Sequence, residues 1–499
     1  TSDSDIVYDF AYATEKDLRD TALGSDESID IALARNEWEG FQIIFATAKK
    51  GKKVEVSVTD FKNADGDTLR TEAYKAHYSE VKGMGGKYSC EYADAMIPVA
   101  HTGKYGRPAE LEKGLQQAFF IRTRAEKDAK AGEYTATVTA KNEKNDVILE
   151  KEIKAVVWNF TLPDTPANES AFGNSSETFV TLSGVKDGDN AAREKLNVQV
   201  YELLAENRLS PYNIPYDILD ERADKYMSDP RITSFVIPYP EDDGQLVKYY
   251  EKVSSNPEWA KKGYFYPIDE PGDSAAYERY REITERLARL CPGYNMVTPF
   301  NTDEVKINGN KISSVKLQKG RSSILCGLSD VVGRGSTLEE MTNAAKNGSR
   351  AWWYVCCAPG GDYCNFFIHL DALKHRILMW QQKSINITGL LYWCTTYCEK
   401  ANPWKSAKTW DSFDCSGDGM FIYPGGYIGI DGPVSTMRLF NIADGMEDYD
   451  YFTLAEAKLG RAWVDERIAK VTSSLTEYTS DHAAFEQVRR EIGEALSEK

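Results

Sequence analysis

The stretch Gly263–Leu290 reads G-Y-F-Y-P-I-D-E-P-G-D-S-A-A-Y-E-R-Y-R-E-I-T-E-R-L-A-R-L: an aromatic run, two adjacent acids, a proline and then a helical pattern. Tyr and Phe suit a pleated, half-buried surface, so Tyr264 to Asp269 predicts a strand. Asp and Glu disfavour strands and Pro271 stops one, which places Asp269 and Glu270 at the strand's end, facing a mouth or cleft. From Asp273 to Leu290 the residues Tyr277, Tyr280, Ile283, Leu287 and Leu290 recur at spacings of three and four, with Asp273 or Ser274 as the cap. Strand, turn and helix in that order make one βα unit.

The same texture extends on both sides. Strand patterns fall near Ala171 to Ser175, Pro211 to Pro215, Thr233 to Pro238, Tyr264 to Asp269, Asn295 to Phe300, Ile324 to Leu328, Ala351 to Cys356 and Ile387 to Cys394, with helical stretches between them. Eight strands with interleaved helices over roughly 230 residues fit a TIM-like (β/α)8 barrel, whose site is built at the carboxyl ends of the strands. Upstream, from Ile29 to Phe160, short period-two segments such as F-Q-I-I-F-A and Y-T-A-T-V-T-A predict an all-β sandwich. The Pro-rich T-L-P-D-T-P-A separates the two textures. The expected organisation is therefore multidomain: residues 1–160 a β-sandwich, 161–168 a linker, 169–434 an α/β (β/α)8 barrel, and 435–499 a helical extension packed on it. In that extension Phe485, Val488, Ile492 and Leu496 form one apolar stripe, the mark of a packing helix.

With 499 residues and 42% hydrophobic content the chain can bury several cores. A net charge of −17 without a basic run excludes a nucleic-acid polyanion as the main partner. No run of 18 apolar residues predicts a transmembrane span, and the amino terminus T-S-D-S-D lacks a signal pattern, so the chain is read either as a mature exported protein or as a cytoplasmic one. The nine cysteines lack a complete zinc-ligand spacing, although Cys394 and Cys398 approach one, and they are expected to be buried free thiols. No metal or cofactor is expected. The 29 tyrosines and 10 tryptophans suit sugar faces as well as cores.

Glycosidic cleavage needs an acid to protonate the leaving oxygen and a second group to attack or stabilise the anomeric carbon. Asp269 and Glu270 supply two carboxyls. Crowding them in a partly dry pocket raises at least one pKa, as a general acid requires. Neighbours on a regular strand point to opposite sides, so the pair faces one ligand only if the backbone turns, which Pro271 and Gly272 permit. The acids could equally open the following helix, where negative charge is favoured. A conventional hydrolase would pair Glu270 with a distant carboxyl such as Glu177 or Asp303, and a barrel without turnover would only bind glycan.

Four stretches carry a resemblance: A-R-N-E-W-E-G-F-Q (Ala34 to Gln42), Y-P-I-D-E-P (Tyr266 to Pro271), W-W-Y-V-C-C (Trp352 to Cys357), and Y-P-G (Tyr423 to Gly425) followed by G-P-V-S-T-M-R-L-F-N-I-A-D-G-M-E-D-Y-D-Y. Over nearly its whole length the chain resembles glycoside hydrolase family 123 and the wider domain of unknown function 4091 proteins. The resemblance implies a sandwich followed by a catalytic barrel, and a secreted or surface-associated bacterial β-N-acetylgalactosaminidase that retains configuration by substrate assistance. In that scheme the sugar's own 2-acetamido oxygen attacks the anomeric carbon, giving an oxazolinium intermediate. Glu270 would be the acid and then the base, while Asp269 would orient the acetamido group and stabilise its charge. An aromatic cage is then needed, and Tyr354, Trp393 and Tyr423 are its candidates. Arg438 would bind a sugar hydroxyl or pair with Glu447 or Asp448.

Overall fold

The computed structural model describes residues 5–14, 29–82, 89–174, 176–410 and 414–498. Strands from Ile6–Tyr12 to Val147–Thr161 belong to one curled, mostly antiparallel sheet of eleven strands. One arm carries Glu37–Thr47, Gln116–Ala125, Thr68–Lys82 and Ser89–Pro98, and the other carries Gly132–Asn142, Val147–Thr161 and Lys52–Val58. The arms join where the short strand Phe61–Lys62 pairs with Leu69 and Thr68. Alternate residues point inward, so Phe41, Ile43, Phe45 and Ile121 from one arm meet Val54, Val138, Ile153 and Ala155 from the other in one buried core.

The second half is α/β. Five parallel strands lie in the order Glu169–Phe172, Gly389–Tyr392, Arg350–Tyr354, Ile324–Leu328 and Val297–Phe300. Phe235–Ile237 and Gly263–Phe265 form a separate parallel pair. Single parallel bridges extend both groups, Phe265 to Met296 and Phe172 to Pro211. Pro211 and its neighbours form no regular strand, although the Val236 N–H donates to the Tyr212 carbonyl at 2.9 Å. Ser175, the last residue of the first expected strand, lies outside the described residues.

The unit Gly263–Leu290 differs from its sequence reading in one respect. The helix Ser274–Leu290 begins where expected, capped by the Asp273 side chain, which accepts from the Ala276 N–H at 2.8 Å. The strand stops at Phe265, four residues before Asp269. Pro267 explains this, since it has no N–H to donate to a ladder. The two acids therefore stand on a loop beyond the strand.

The carboxyl-terminal part consists of the helices Met437–Leu459, Arg461–Val471 and His482–Ser497. Phe485, Val488, Ile492 and Leu496 are all buried, as the stripe required. The helix Met437–Leu459 is buried on nearly every side, because it lies between the sheet and the α/β half: Phe440 packs on Tyr74 and Phe120, and Tyr451 on Trp158 and Phe160. Residues 161–168 run along this seam, where Leu162 is buried and the Ala167 N–H donates to Asp450 at 2.6 Å.

Charges in the seam are paired. Arg376 donates to both oxygens of Asp448 at 2.7 and 3.1 Å; Arg489 bridges Glu37, Glu39 and Asp448; and Arg208 meets Asp450 at 2.9 Å and Glu447 at 3.3 Å. Two of the sequence stretches singled out above, Ala34 to Gln42 and the M-E-D-Y-D-Y run, meet here.

Candidate active site

The loop after Gly263–Phe265 brings the two carboxyls together by a backbone turn. Glu270 has φ 42°, a left-handed conformation that costs a non-glycine residue on the order of 1–3 kcal/mol and persists only where the surroundings impose it. Three polar side chains hold the pair. The Tyr266 hydroxyl donates to Asp269 Oδ1 at 2.9 Å, Asn301 Nδ2 donates to Glu270 Oε2 at 2.6 Å, and the Tyr354 hydroxyl donates to Glu270 Oε1. Tyr354 ends the strand Arg350–Tyr354 and Asn301 follows the strand Val297–Phe300, so two strands on either side of Ile324–Leu328 converge on one acid.

Glu270 is half-buried, and loss of hydration pushes its pKa above the ordinary carboxylate range. The Tyr354 hydrogen bond pulls the other way and the negative charge of Asp269 adds to the rise. Asp269 is exposed at its edge, yet the crowd around it also raises its pKa, against the pull of the Tyr266 bond. No arginine or lysine pairs with either acid among the described residues. A carboxyl so placed can keep a proton for donation near neutral pH.

An aromatic wall stands close by. Trp393, one residue beyond the strand Gly389–Tyr392, packs with Tyr397 and Trp410 at ring separations of 5.0 to 5.7 Å, and all three rings are half-buried. Asp418 sets their orientation from behind. It is fully buried and accepts from Tyr392 Oη at 2.7 Å, Trp410 Nε1 at 2.9 Å and Trp393 Nε1 at 3.1 Å. Gly419 permits this approach: a Cβ there would lie 2.5 Å from the Trp393 ring. Tyr354, which holds Glu270, pairs with Leu391 on the neighbouring strand, so the wall begins two residues beyond that partner, at the same end of the sheet.

Tyr354 thus touches the pair and Trp393 lies at the end of the next strand, whereas Tyr423 and Arg438 do not reach solvent. Tyr423 is completely buried, its hydroxyl bonded to Asp94 at 2.9 Å and Ser79 at 3.0 Å. Arg438, also completely buried, forms its ion pair with Asp94 at 2.7 Å rather than with Glu447 or Asp448. It also donates to the carbonyls of Gly417 and Met420, one on each side of the Asp418–Gly419 turn. Its part is to brace that turn, and both residues are corrected from sugar ligands to supports. Glu177 is exposed and held by a two-pronged pair with Arg193, which occupies it as a distant partner for Glu270.

Sequence reasoning missed Tyr266, Asn301, Trp410 and Asp418. Tyr266 lies in the unit already singled out, and Asn301 directly follows the next expected strand, Asn295 to Phe300. Trp410 and Asp418 lie in a long loop with no periodic signal, and nothing local marks them. Tyr212 was missed as well: its buried hydroxyl lacks a hydrogen-bond partner beside Tyr266, in reach of the charge of Asp269.

Residues 197–455, more than half of the chain, match the family model for the catalytic domain of glycoside hydrolase 123. A search of curated proteins finds no match. Among solved structures, a family 123 glycoside hydrolase from Clostridium perfringens superposes with a TM-score of 0.72 at 12% identity, covering 98% of each chain. A β-glucuronidase from Bifidobacterium dentium aligns over 96% of this chain and 67% of its own, at 11% identity and a TM-score of 0.29. The Clostridium structure supports the same fold across sheet, α/β half and helical end. The match to the catalytic model, covering both acids and the wall, shows that the chain belongs to glycoside hydrolase family 123 and is a glycosidase.

Proposed function

We propose that the enzyme removes β-linked N-acetylgalactosamine from glycans with retention of configuration, the substrate's own acetamido group acting as nucleophile. The observation that carries this reading is the pair itself: adjacent Asp269 and Glu270, each held by a tyrosine hydroxyl and neither neutralised by a cation. Glu270 protonates the leaving oxygen and then activates water. Asp269, next to it on the turn, steadies the acetamido group as positive charge develops on it. An intramolecular nucleophile removes the need for a second carboxylate across the sugar. The pairing of Glu177 with Arg193 and the enclosure of Asp418 by three donors agree with that economy. Trp393, Tyr397 and Trp410 supply a face on which a pyranose can stack, and Tyr354 closes the side nearest the acid.

The (β/α)8 reading supports the placement. The Phe265–Met296 and Phe172–Pro211 bridges and the Val236–Tyr212 hydrogen bond link the two parallel sheets in the order a closed ring requires, with both acids at the carboxyl end of its fourth strand. The Clostridium relative is described in terms of glycolipid glycan hydrolysis, and glycolipid glycans released outside the cell are the substrate class proposed here.

A panel of aryl β-glycosides with and without a 2-acetamido group tests the reading. Acetamido substrates alone should turn over, and a thiazoline analogue of the acetamido sugar should inhibit strongly; turnover of plain glycosides with indifference to the thiazoline overturns it. Glu270→Gln should lose about 10²–10⁴-fold on poor leaving groups and far less on activated aryl groups. Equal losses on both would remove Glu270 as the acid.

A further inference from the structure

The W-W-Y-V-C-C stretch ends in two adjacent cysteines that the proposed chemistry does not use. Cys356 Sγ and Cys357 Sγ lie 3.9 Å apart, both half-buried, two and three residues beyond Tyr354. Cys291, Cys326, Cys364, Cys394, Cys398 and Cys415 are buried, and Cys90 is half-buried in the sheet domain. The turn that carries the pair is firmly held. Fully buried Asn365 donates to the Cys356 carbonyl at 3.0 Å and the Pro359 carbonyl at 2.9 Å, and the Cys356 N–H donates to the Ala358 carbonyl at 2.8 Å.

Two sulfurs bound to one tetrahedral thiophilic centre at about 2.3 Å each stand about 3.8 Å apart, so the observed separation is already that of a chelate. A direct disulfide suits the pair less well. Neighbouring Cα atoms across a trans peptide are about 3.8 Å apart, below the usual disulfide span of about 4.4–6.8 Å. The hydrogen bond between the two sulfurs lowers the pKa of Cys357 and, with burial, raises that of Cys356, so one thiolate is favoured and the second proton leaves only on capture.

We infer that Cys356 and Cys357 form a preorganised two-thiol chelate for a single soft, thiophilic centre, a soft divalent cation or trivalent arsenic, and that its capture closes the adjacent catalytic cleft. The inference goes beyond the glycosidase reading and rests on it only for the consequence on turnover. With phenylarsine oxide the capture is a condensation. Two As–S bonds form, the arsenic–oxygen bond breaks, and the oxygen leaves as water with both thiol protons; arsenic stays trivalent. Because Cys356 stands two residues beyond Tyr354, whose hydroxyl holds Glu270, a phenylarsenic group on the pair sits on the strand end that carries the acid's partner.

The test titrates the full chain with phenylarsine oxide and reads both intact mass and glycosidase turnover. One adduct should form, map to the peptide holding Cys356 and Cys357, and lower turnover at least about 10²-fold, the lower end of what a general acid contributes. 2,3-Dimercaptopropanol should restore turnover where a monothiol does not. Cys357→Ser should lose the adduct and the sensitivity, while Cys90→Ser should keep both. Absence of an adduct, an adduct mapped elsewhere, or an adduct with undiminished turnover overturns the inference. If Glu270→Gln turns over like the wild type, the catalytic reading has failed instead, and the chelate is judged on the mass and mapping alone.

Discussion

Two regions of this protein hold acids that have lost hydration, and they use that loss in opposite ways. In the seam between sheet and α/β half, desolvation pushes Glu37 up to about 8, Glu447 to about 7 and Asp450 to about 6, although Arg489, Arg208 and Arg124 pull against it. In the cleft, desolvation raises Asp269 and Glu270 as well, but only hydroxyls, an amide and a backbone N–H oppose it. A raised carboxyl pKa therefore does not by itself mark a catalytic acid. What separates the regions is a path to solvent and the absence of a cation. A guanidinium beside Glu270 would hold it ionised and unable to donate a proton, whereas guanidinium groups in the seam make burial of the acids tolerable.

The sharpest way to break this contrast is to strip a cation from the seam. Arg489→Met leaves Glu37, Glu39 and Asp448 short of a partner, and stability should fall by about 3–5 kcal/mol, read as a lowered chemical-denaturation midpoint. Turnover per folded molecule should not change, and a selective loss of kcat would give the seam a catalytic part. Next in size, Asp269→Asn should slow even activated acetamido substrates about 10²–10³-fold, because it removes charge stabilisation rather than protonation. Unchanged rates would take Asp269 out of the mechanism.

Tyr354→Phe sharpens the comparison within the cleft. The hydroxyl favours ionised Glu270, so its removal should raise the acid's pKa and move the alkaline limb of the kcat/KM profile to higher pH; a shift to lower pH would contradict the assignment. The last effect is on the pH dependence of stability. Glu37 goes from an ordinary value of 4.5 to about 8 in the fold, so between these the folded state keeps a proton that the unfolded chain has released. Stability should decline as pH rises from about 5 to about 8, and Glu37→Gln should flatten that slope. A melting temperature that climbs over this window would show that the arginines dominate.

The sequence made the α/β half legible because its signals are local. The Asp273 cap and the three-and-four spacing placed the helix Ser274–Leu290 within a residue, and Ile324 to Leu328 was read to its ends. The strand before the acids was read too long, since aromatic propensity extends through Tyr266 while the missing N–H of Pro267 ends the ladder. Tyr354 and Trp393 were singled out because strand ends are where barrel enzymes place side chains. Tyr423 and Arg438 misled for a related reason: a tyrosine and an arginine near a glycine-rich loop look available, and only the partner Asp94, more than 300 positions away, shows that they are used up. The same distance hid Asp418, whose value lies wholly in which indoles reach it.

The helix Met437–Leu459 has one more consequence. Its apolar flanks are shared between Phe120 and Trp158 on one side and Met379 and Trp380 on the other, so neither half owns a complete interior without it. Residues 1–160 are thus not a transplantable module. Excised alone, the sheet would present a wet, apolar face and the carboxylates of Glu37 and Glu39 with no guanidinium to answer them. Calorimetry of the whole chain should register a single cooperative transition rather than one for each half.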